Sequence, residues 1–245
     1  MLGRDHALRG AVVGVGLAEP IARFAHTHLP PGQVAAAGAI CAGFALLPDI
    51  DEPGSTVSRK LGPVSEAVAA VTNKLAGGHR QATHSLWFAG GIAALVWWLG
   101  QFALAAPILV YASLALTLTM VVPVHIVRRG SAAALIGPML AGWAVWRAET
   151  GFWLTDPTRV ADPRTWAWLP VAAGAGVLLH LAGDMLTVEG VPLLWPARLR
   201  LAAPLLGHTD TSREQLVGAC LSVALVALAW VQVLHPLLNA KGTHL

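Results

Sequence analysis

Charge is what this 245-residue chain has least of: Asp, Glu, Lys and Arg together make up 12% of it, against roughly 25% in an ordinary soluble domain. With 56% hydrophobic residues and a mean hydropathy of +0.62, that shortage excludes a soluble globular fold and intrinsic disorder. Cysteine is equally scarce. Cys41 and Cys220 cannot build a disulfide scaffold, and both lie in apolar runs that read as buried, unreactive thiols. No G-x-S-x-G elbow is present, which disfavours a serine esterase. The first apolar stretch lacks an A-x-A-like end and runs into Glu19-Pro20, so it does not read as a cleaved secretory signal. Without an internal repeat or a linker, residues 1–245 read as a single integral membrane domain.

What is abundant is glycine (25), proline (16) and tryptophan (10) among long apolar runs, the composition of an all-α, polytopic transmembrane bundle. A crossing needs about 20 apolar residues. The clearest candidates are Ser85–Leu99, Phe102–Val124, Ala132–Trp146, Trp168–Leu186 and Gln215–Leu234, preceded by the weaker Leu8–Ala25 and Gln33–Leu47. About seven crossings alternate the loops between two sides. On that pattern eleven of the 16 Lys and Arg fall on the side of the N-terminus, among them Arg4, Arg59, Lys74 and Arg198, and five on the other. The bias predicts a cytoplasmic N-terminus. The net charge of +3 and pI near 9.3 therefore read as loop charge that sets topology, with no nucleic-acid partner implied. Trp143, Trp146, Trp153, Trp166 and Trp168 suit an interfacial aromatic belt, and Val64–Leu75 suits an amphipathic helix on the cytoplasmic surface.

In so apolar a chain, ionisable residues near membrane depth are costly and point to function. They fall in three places. Asp49 and Asp51, in Leu46-Leu47-Pro48-Asp49-Ile50-Asp51-Glu52-Pro53, follow a hydrophobic helix and are bracketed by prolines; a turn there can converge both carboxylates on a cation or leave them as a solvated loop. His79 and His84, five apart after Gly77-Gly78, lead into an apolar helix that Thr83 or Ser85 can cap, and Arg80 beside them offers a fork for an anion. His180 and Asp184 are i and i+4 on one helical face, as a local hydrogen-bonded pair or as two metal ligands. The seven-crossing topology brings all three to the cytoplasmic face, and His6 with them. His26, His28, His235 and His244 fall on the other face, and His125 and His208 stand outside the set. Mixed imidazole and carboxylate donors suit Zn, Mn or Fe better than Ca or Mg, with Zn or Mn preferred. Six or seven of them exceed one tetrahedral ion, so the set predicts one or two ions, or one ion with some members in support.

At these residues the sequence resembles the YdjM-like membrane-bound metal-dependent hydrolases of bacterial inner membranes. The resemblance rests on Leu46-Leu47-Pro48-Asp49-Ile50-Asp51, Gly78-His79-Arg80 with Thr83-His84-Ser85, and His180-x3-Asp184-Met185-Leu186-Thr187, and continues through Gly190-Val191-Pro192-Leu193-Leu194-Trp195-Pro196 to Arg198 and Arg200. Glu52, and Gln81-Ala82 between the histidines, depart from the familiar pattern without removing a ligand. The resemblance implies metal-dependent hydrolysis at the inner membrane. Asp49, Asp51, His79, His84, His180 and Asp184 would hold the metal with His6 as a further ligand, Arg80 would neutralise an anionic substrate, and Glu52 or Glu189 would act as general base. With Arg198 and Arg200 suited to anionic head groups, the preferred substrate is a phosphoester, including one carried by a membrane lipid. Two other classes fit the same residues: a non-catalytic protein that binds or transports a metal ion, and a structural membrane protein whose His and Asp pair with each other.

Overall fold

Pro31 opens the helix around which the others assemble. In the computed structural model, which describes residues 3–60, 63–102, 105–121, 163–207 and 211–242, its fixed φ starts α3 (Pro31–Phe44), an alanine- and glycine-rich helix that is nearly all buried. Before it lie α1 (Gly3–Gly16) and α2 (Ala18–Phe24), and after it a 3-10 turn, Pro48–Asp51. Next come α4 (Thr56–Lys60), α5 (Pro63–Ala76), a second 3-10 turn (Ala82–His84), α6 (Leu86–Leu99) and α7 (Ala105–Val121). Beyond residue 162 are a 3-10 turn (Pro163–Trp166), α8 (Leu169–Met185), α9 (Ser212–Ala229), a π-helical turn (Trp230–Leu234) and α10 (His235–Gly242). Among the described residues there is no strand, only the isolated bridges Thr187–Gly207 and Val191–Leu201 in the loop after α8.

Small residues set how closely these helices pack. α3 lies against α1, α7 and α8, while α6 packs on α8 and α9 on α1. A Cβ added at Gly10 of α1 or at Gly176 of α8 would stand 2.5 Å from the same atom, the carbonyl oxygen of Cys41 on α3. Backbones meet at that distance only where a side chain is missing. Cys41 Sγ adds a hydrogen bond to the Ala172 carbonyl at 3.1 Å. Gly176→Leu should therefore wedge α3 from α8. The expected loss of about 1–3 kcal/mol for an overpacked core would appear as a lower thermal midpoint in detergent, with weaker ligand binding wherever both helices contribute.

Among the described residues, two stretches are long and apolar enough to cross a bilayer, Pro31–Asp51 with mean hydropathy 1.5 and Ser212–Asn239 with 2.2; Leu86–Leu99 and Leu169–Met185 are apolar but shorter. The expected crossing Leu8–Ala25 is divided at Leu17. Pro20 has no N–H to continue the ladder and its ring crowds the preceding turn, so α1 stops before it and α2 starts anew. The crossing at Ala132–Trp146 lies outside the described residues, as do Trp143, Trp146, Trp153, His125, His208 and His244.

Three expectations meet the packing directly. Trp166 and Trp168, which lead into α8, are buried in the main hydrophobic core, not in a lipid-facing belt. Cys220 is exposed, on a helix that is little buried among the described residues. Val64–Leu75 does form an amphipathic helix: Val64, Val68, Val71 and Leu75 make one exposed apolar stripe along α5, while Asn73 on its other side donates 2.7 Å to the Asp51 carbonyl.

Candidate metal centre

The predicted polar segments converge because their helices end together. α3 stops at Phe44 and Pro48 turns the chain, which puts Asp49 and Asp51 just beyond the helix end. Gly77 (φ 84°) and Gly78 (φ 114°) reverse the chain after α5 and deliver His79–His84 to the same place. Ser85 then caps α6, its hydroxyl accepting the Phe88 N–H at 3.2 Å, so His84 immediately precedes the apolar helix. On α8, His180 and Asp184 face the cluster one turn apart, as their i, i+4 spacing predicts.

At the centre the Nε2 atoms of His84 and His180 stand 3.1 Å apart. Asp184 Oδ2 lies 3.5 Å from the first and 3.4 Å from the second; Asp49 Oδ1 lies 3.8 and 3.5 Å away. Asp49, His84, His180 and Asp184 each offer one ligand atom, all within 4.8 Å of one another. The protons on the far sides of the rings can be assigned from their partners. His180 Nδ1 is 2.7 Å from the Ala45 carbonyl, which can only accept, so Nδ1 carries a hydrogen and Nε2 is the nitrogen turned toward the cluster. Thr83 donates its hydroxyl to Asp51 Oδ2, which leaves its oxygen to accept from His84 Nδ1 at 3.1 Å. Both Nε2 atoms are thereby turned toward each other and toward two carboxylates, where either a proton shared between them or a metal ion satisfies them. The arrangement has the backbone and hydroxyl support usual behind metal-binding imidazoles.

Asp51, His79 and His84 form a second group of possible ligands that shares His84. His79 Nδ1 is 2.7 Å from Asp51 Oδ1 and 3.9 Å from Glu52 Oε2, while His84 Nδ1 is 3.6 Å from Asp51 Oδ2. His84 lies outside the apolar helices. Burial disfavours its charged ring, but the Asp184, Asp49 and Asp51 carboxylates, accepting from its N–H groups, outweigh that and push its pKa up to about 10. His6 stacks on His180 with ring centroids 3.8 Å apart, and its Nε2 is 3.4 Å from Asp184 Oδ1. Among the described residues, Nδ1 of this fully buried histidine has no hydrogen-bond partner, and Nε2 has only the Asp184 carboxylate near it.

A family model described as YdjM inner membrane protein matches residues 1–128 and 131–236. The chain belongs to the YdjM family. No curated protein and no solved structure matches it. With its apolar helices, membership makes this a membrane protein carrying a cluster able to hold a metal ion.

The YdjM-family chain also holds polar groups that its sequence motifs did not single out. Asp5 and Glu214, on α1 and α9, are buried and share a hydrogen bond, with Arg9 beside them. Gly218 makes room for the pair, since a Cβ there would lie 2.8 Å from Asp5 Oδ1. The rule that flagged Asp184 applies to these two as well: each is an acid at the edge of an apolar segment. Of the residues expected to act on substrate, Glu52 lies beside His79 and accepts the Gly54 N–H at 2.9 Å. Arg80 and Glu189 are paired to each other, Nη1 to Oε2, at 2.8 Å.

Proposed function

We propose that this protein is a multi-pass hydrolase of the bacterial inner membrane, dependent on Zn or Mn, that cleaves a phosphoester carried on a lipid or otherwise anionic substrate. The observation that carries the reading is the pair of imidazole Nε2 atoms of His84 and His180, oriented by Thr83 and Ala45, meeting Asp49 and Asp184 beside a buried arginine. Those four residues fit one ion, with Asp51 and His79 orienting His84 or completing a second site. What such an ion supplies when bound is Lewis acidity toward a phosphoryl oxygen and activation of water near neutral pH.

The chain's own residues do the rest. Arg80 neutralises charge on the bound phosphoryl group. Glu52, partly exposed and adjoining Asp51 and His79, is suited to accept the proton from water. Leu194, Leu199, Leu201 and Leu205 are exposed in the loop after α8, interspersed with Arg198 and Arg200. Apolar and basic groups together suit an anionic lipid surface. The same loop reaches the site, because the Leu193 carbonyl accepts the Leu86 N–H at 2.9 Å, two residues beyond His84.

The excess of Lys and Arg on the side of the motifs supports a cytoplasmic site. One experiment tests activity and orientation together. Inside-out membrane vesicles bearing the protein should hydrolyse a membrane-impermeant phosphodiester, right-side-out vesicles should not, and Glu52→Gln should cost roughly 10²–10⁴-fold in rate. Activity from right-side-out vesicles alone would reverse the topology. None from either, on phosphodiester or phospholipid, would sink the hydrolase.

A further inference from the structure

We propose that Arg80 is an anion subsite for a phosphoryl group, and that the Glu189 carboxylate is its displaceable occupant. This rests on the hydrolase reading for its purpose, but not for its geometry. Arg80 adopts φ 54°, a left-handed backbone that residues with a Cβ rarely take, and its side chain is buried. That backbone sends the guanidinium between two carboxylates of different character. Nη2 lies 3.1 Å from Asp184 Oδ1 and Nη1 lies 2.8 Å from Glu189 Oε2. Asp184 is only 1% exposed and is held among three histidines, whereas the Glu189 side chain is 64% exposed. Arg80 Nε is buried with no hydrogen-bond partner among the described residues, and the Thr187 hydroxyl stands 3.4 Å from Nη1.

Arg80 thus joins a fixed candidate ligand of the metal to a carboxylate that can leave. The Glu189 end of the pair is exposed, so water and ions screen it and can replace it. A phosphoryl group carries more oxygens and up to twice the charge, and the guanidinium fork has a donor to spare for it. The exchange needs no backbone movement. The Glu189 carbonyl accepts from Arg200 Nη1 at 3.4 Å, the Val188 N–H donates to Gly207, and Val191 pairs with Leu201, so the backbone on both sides is tied and only the Glu189 side chain has to rotate. A phosphoryl group seated on Nη1 would lie one guanidinium away from Asp184. Glu189 then acts as a stand-in for substrate, and the proton acceptor is left to Glu52.

The test is calorimetric titration of the full-length protein with inorganic phosphate, as purified and after chelation. Glu189→Gln removes the competing charge and should bind phosphate about tenfold tighter than wild type, the gain of roughly one charge-assisted hydrogen bond. Glu189→Asp, which keeps the charge, should match wild type, and Arg80→Gln/Glu189→Gln should lose the gain. Equal affinity of wild type and Glu189→Gln, with unchanged helical circular dichroism, overturns the subsite. Should Glu189→Gln not fold, Glu189→Ala is expected to show the same tenfold gain, and wild-type affinity in that variant overturns the subsite equally. A tenfold gain in a protein that never holds metal would keep the subsite and refute the hydrolase; stoichiometric metal with no gain would refute only the subsite. Displacement of phosphate by phosphatidic acid in nanodiscs, and not by glycerol 3-phosphate, would identify a lipid as the source of the anion. The reverse would identify a soluble phosphoester.

Discussion

The His180→Ala/Asp184→Asn protein is expected to lose its divalent metal. The two residues supply two of four converging ligand atoms, so affinity should fall by well over the roughly 10–100-fold lost when an outer partner alone is removed. Asn is chosen at 184 because it keeps the shape and an acceptor for Arg80 Nη2, 3.1 Å away, where Ala would leave a buried guanidinium short of a partner. Elemental analysis after dialysis against metal-free buffer reads the loss, and circular dichroism shows whether the helices persist. Metal retained at wild-type stoichiometry would remove the centre from consideration. Metal bound by wild type without turnover of any phosphoester would favour the binding or transport protein, and absence from both would favour His and Asp residues that only pair with each other.

The fold was legible where one helix answers one apolar run. Ser85–Leu99 and Trp168–Leu186 read from hydropathy lie within two residues of α6 and α8, and the Gln33–Leu47 run covers most of α3 and the chain leading to Pro48. What hydropathy could not supply is which side of a helix meets another. Trp166 and Trp168 look like interface anchors by composition, yet they are core residues, buried where the chain enters α8. Cys41 and Cys220 look alike in sequence and differ because α3 is enclosed and α9 is little buried among the described residues. Burial of that kind is settled by neighbours distant in the chain.

The candidate site was legible for the same reason that the chain is readable as a membrane protein. Ionisable residues are few, so those beside apolar runs stand out, and Asp49, Asp51, His79, His84, His180 and Asp184 come together in two groups that share His84. The supporting atoms were hidden. The Ala45 carbonyl that sets the His180 tautomer is a backbone atom with no sequence signature, and Thr83 reads equally well as a helix cap until Ser85 takes that role. Nor does spacing reveal that Arg80 and Glu189, 109 positions apart, face each other. That contact exists because the loop after α8 returns over the turn that carries Arg80.

Metal binding should be strongly pH-dependent, and His84 sets the sign. Its ring prefers to be protonated in the metal-free protein, with a pKa of about 10, because three carboxylates outweigh the cost of burial. A ligand nitrogen must be bare, so below pH 10 the incoming ion has to displace that proton. With one proton released per ion, the apparent affinity should rise about tenfold per pH unit, hence roughly 100-fold between pH 6 and pH 8, and should level off above about pH 10. The same exchange makes a proton and a metal alternative occupants between His84 and His180, whose Nε2 atoms are 3.1 Å apart. Zinc or manganese titrations at a series of pH values measure the slope, and an indicator dye in weak buffer counts the proton directly. His84→Gln should abolish both the release and the slope while weakening binding. A flat pH profile with wild-type affinity would mean that His84 is not a ligand, and that the ion, if any, sits on Asp49, His180 and Asp184 without it.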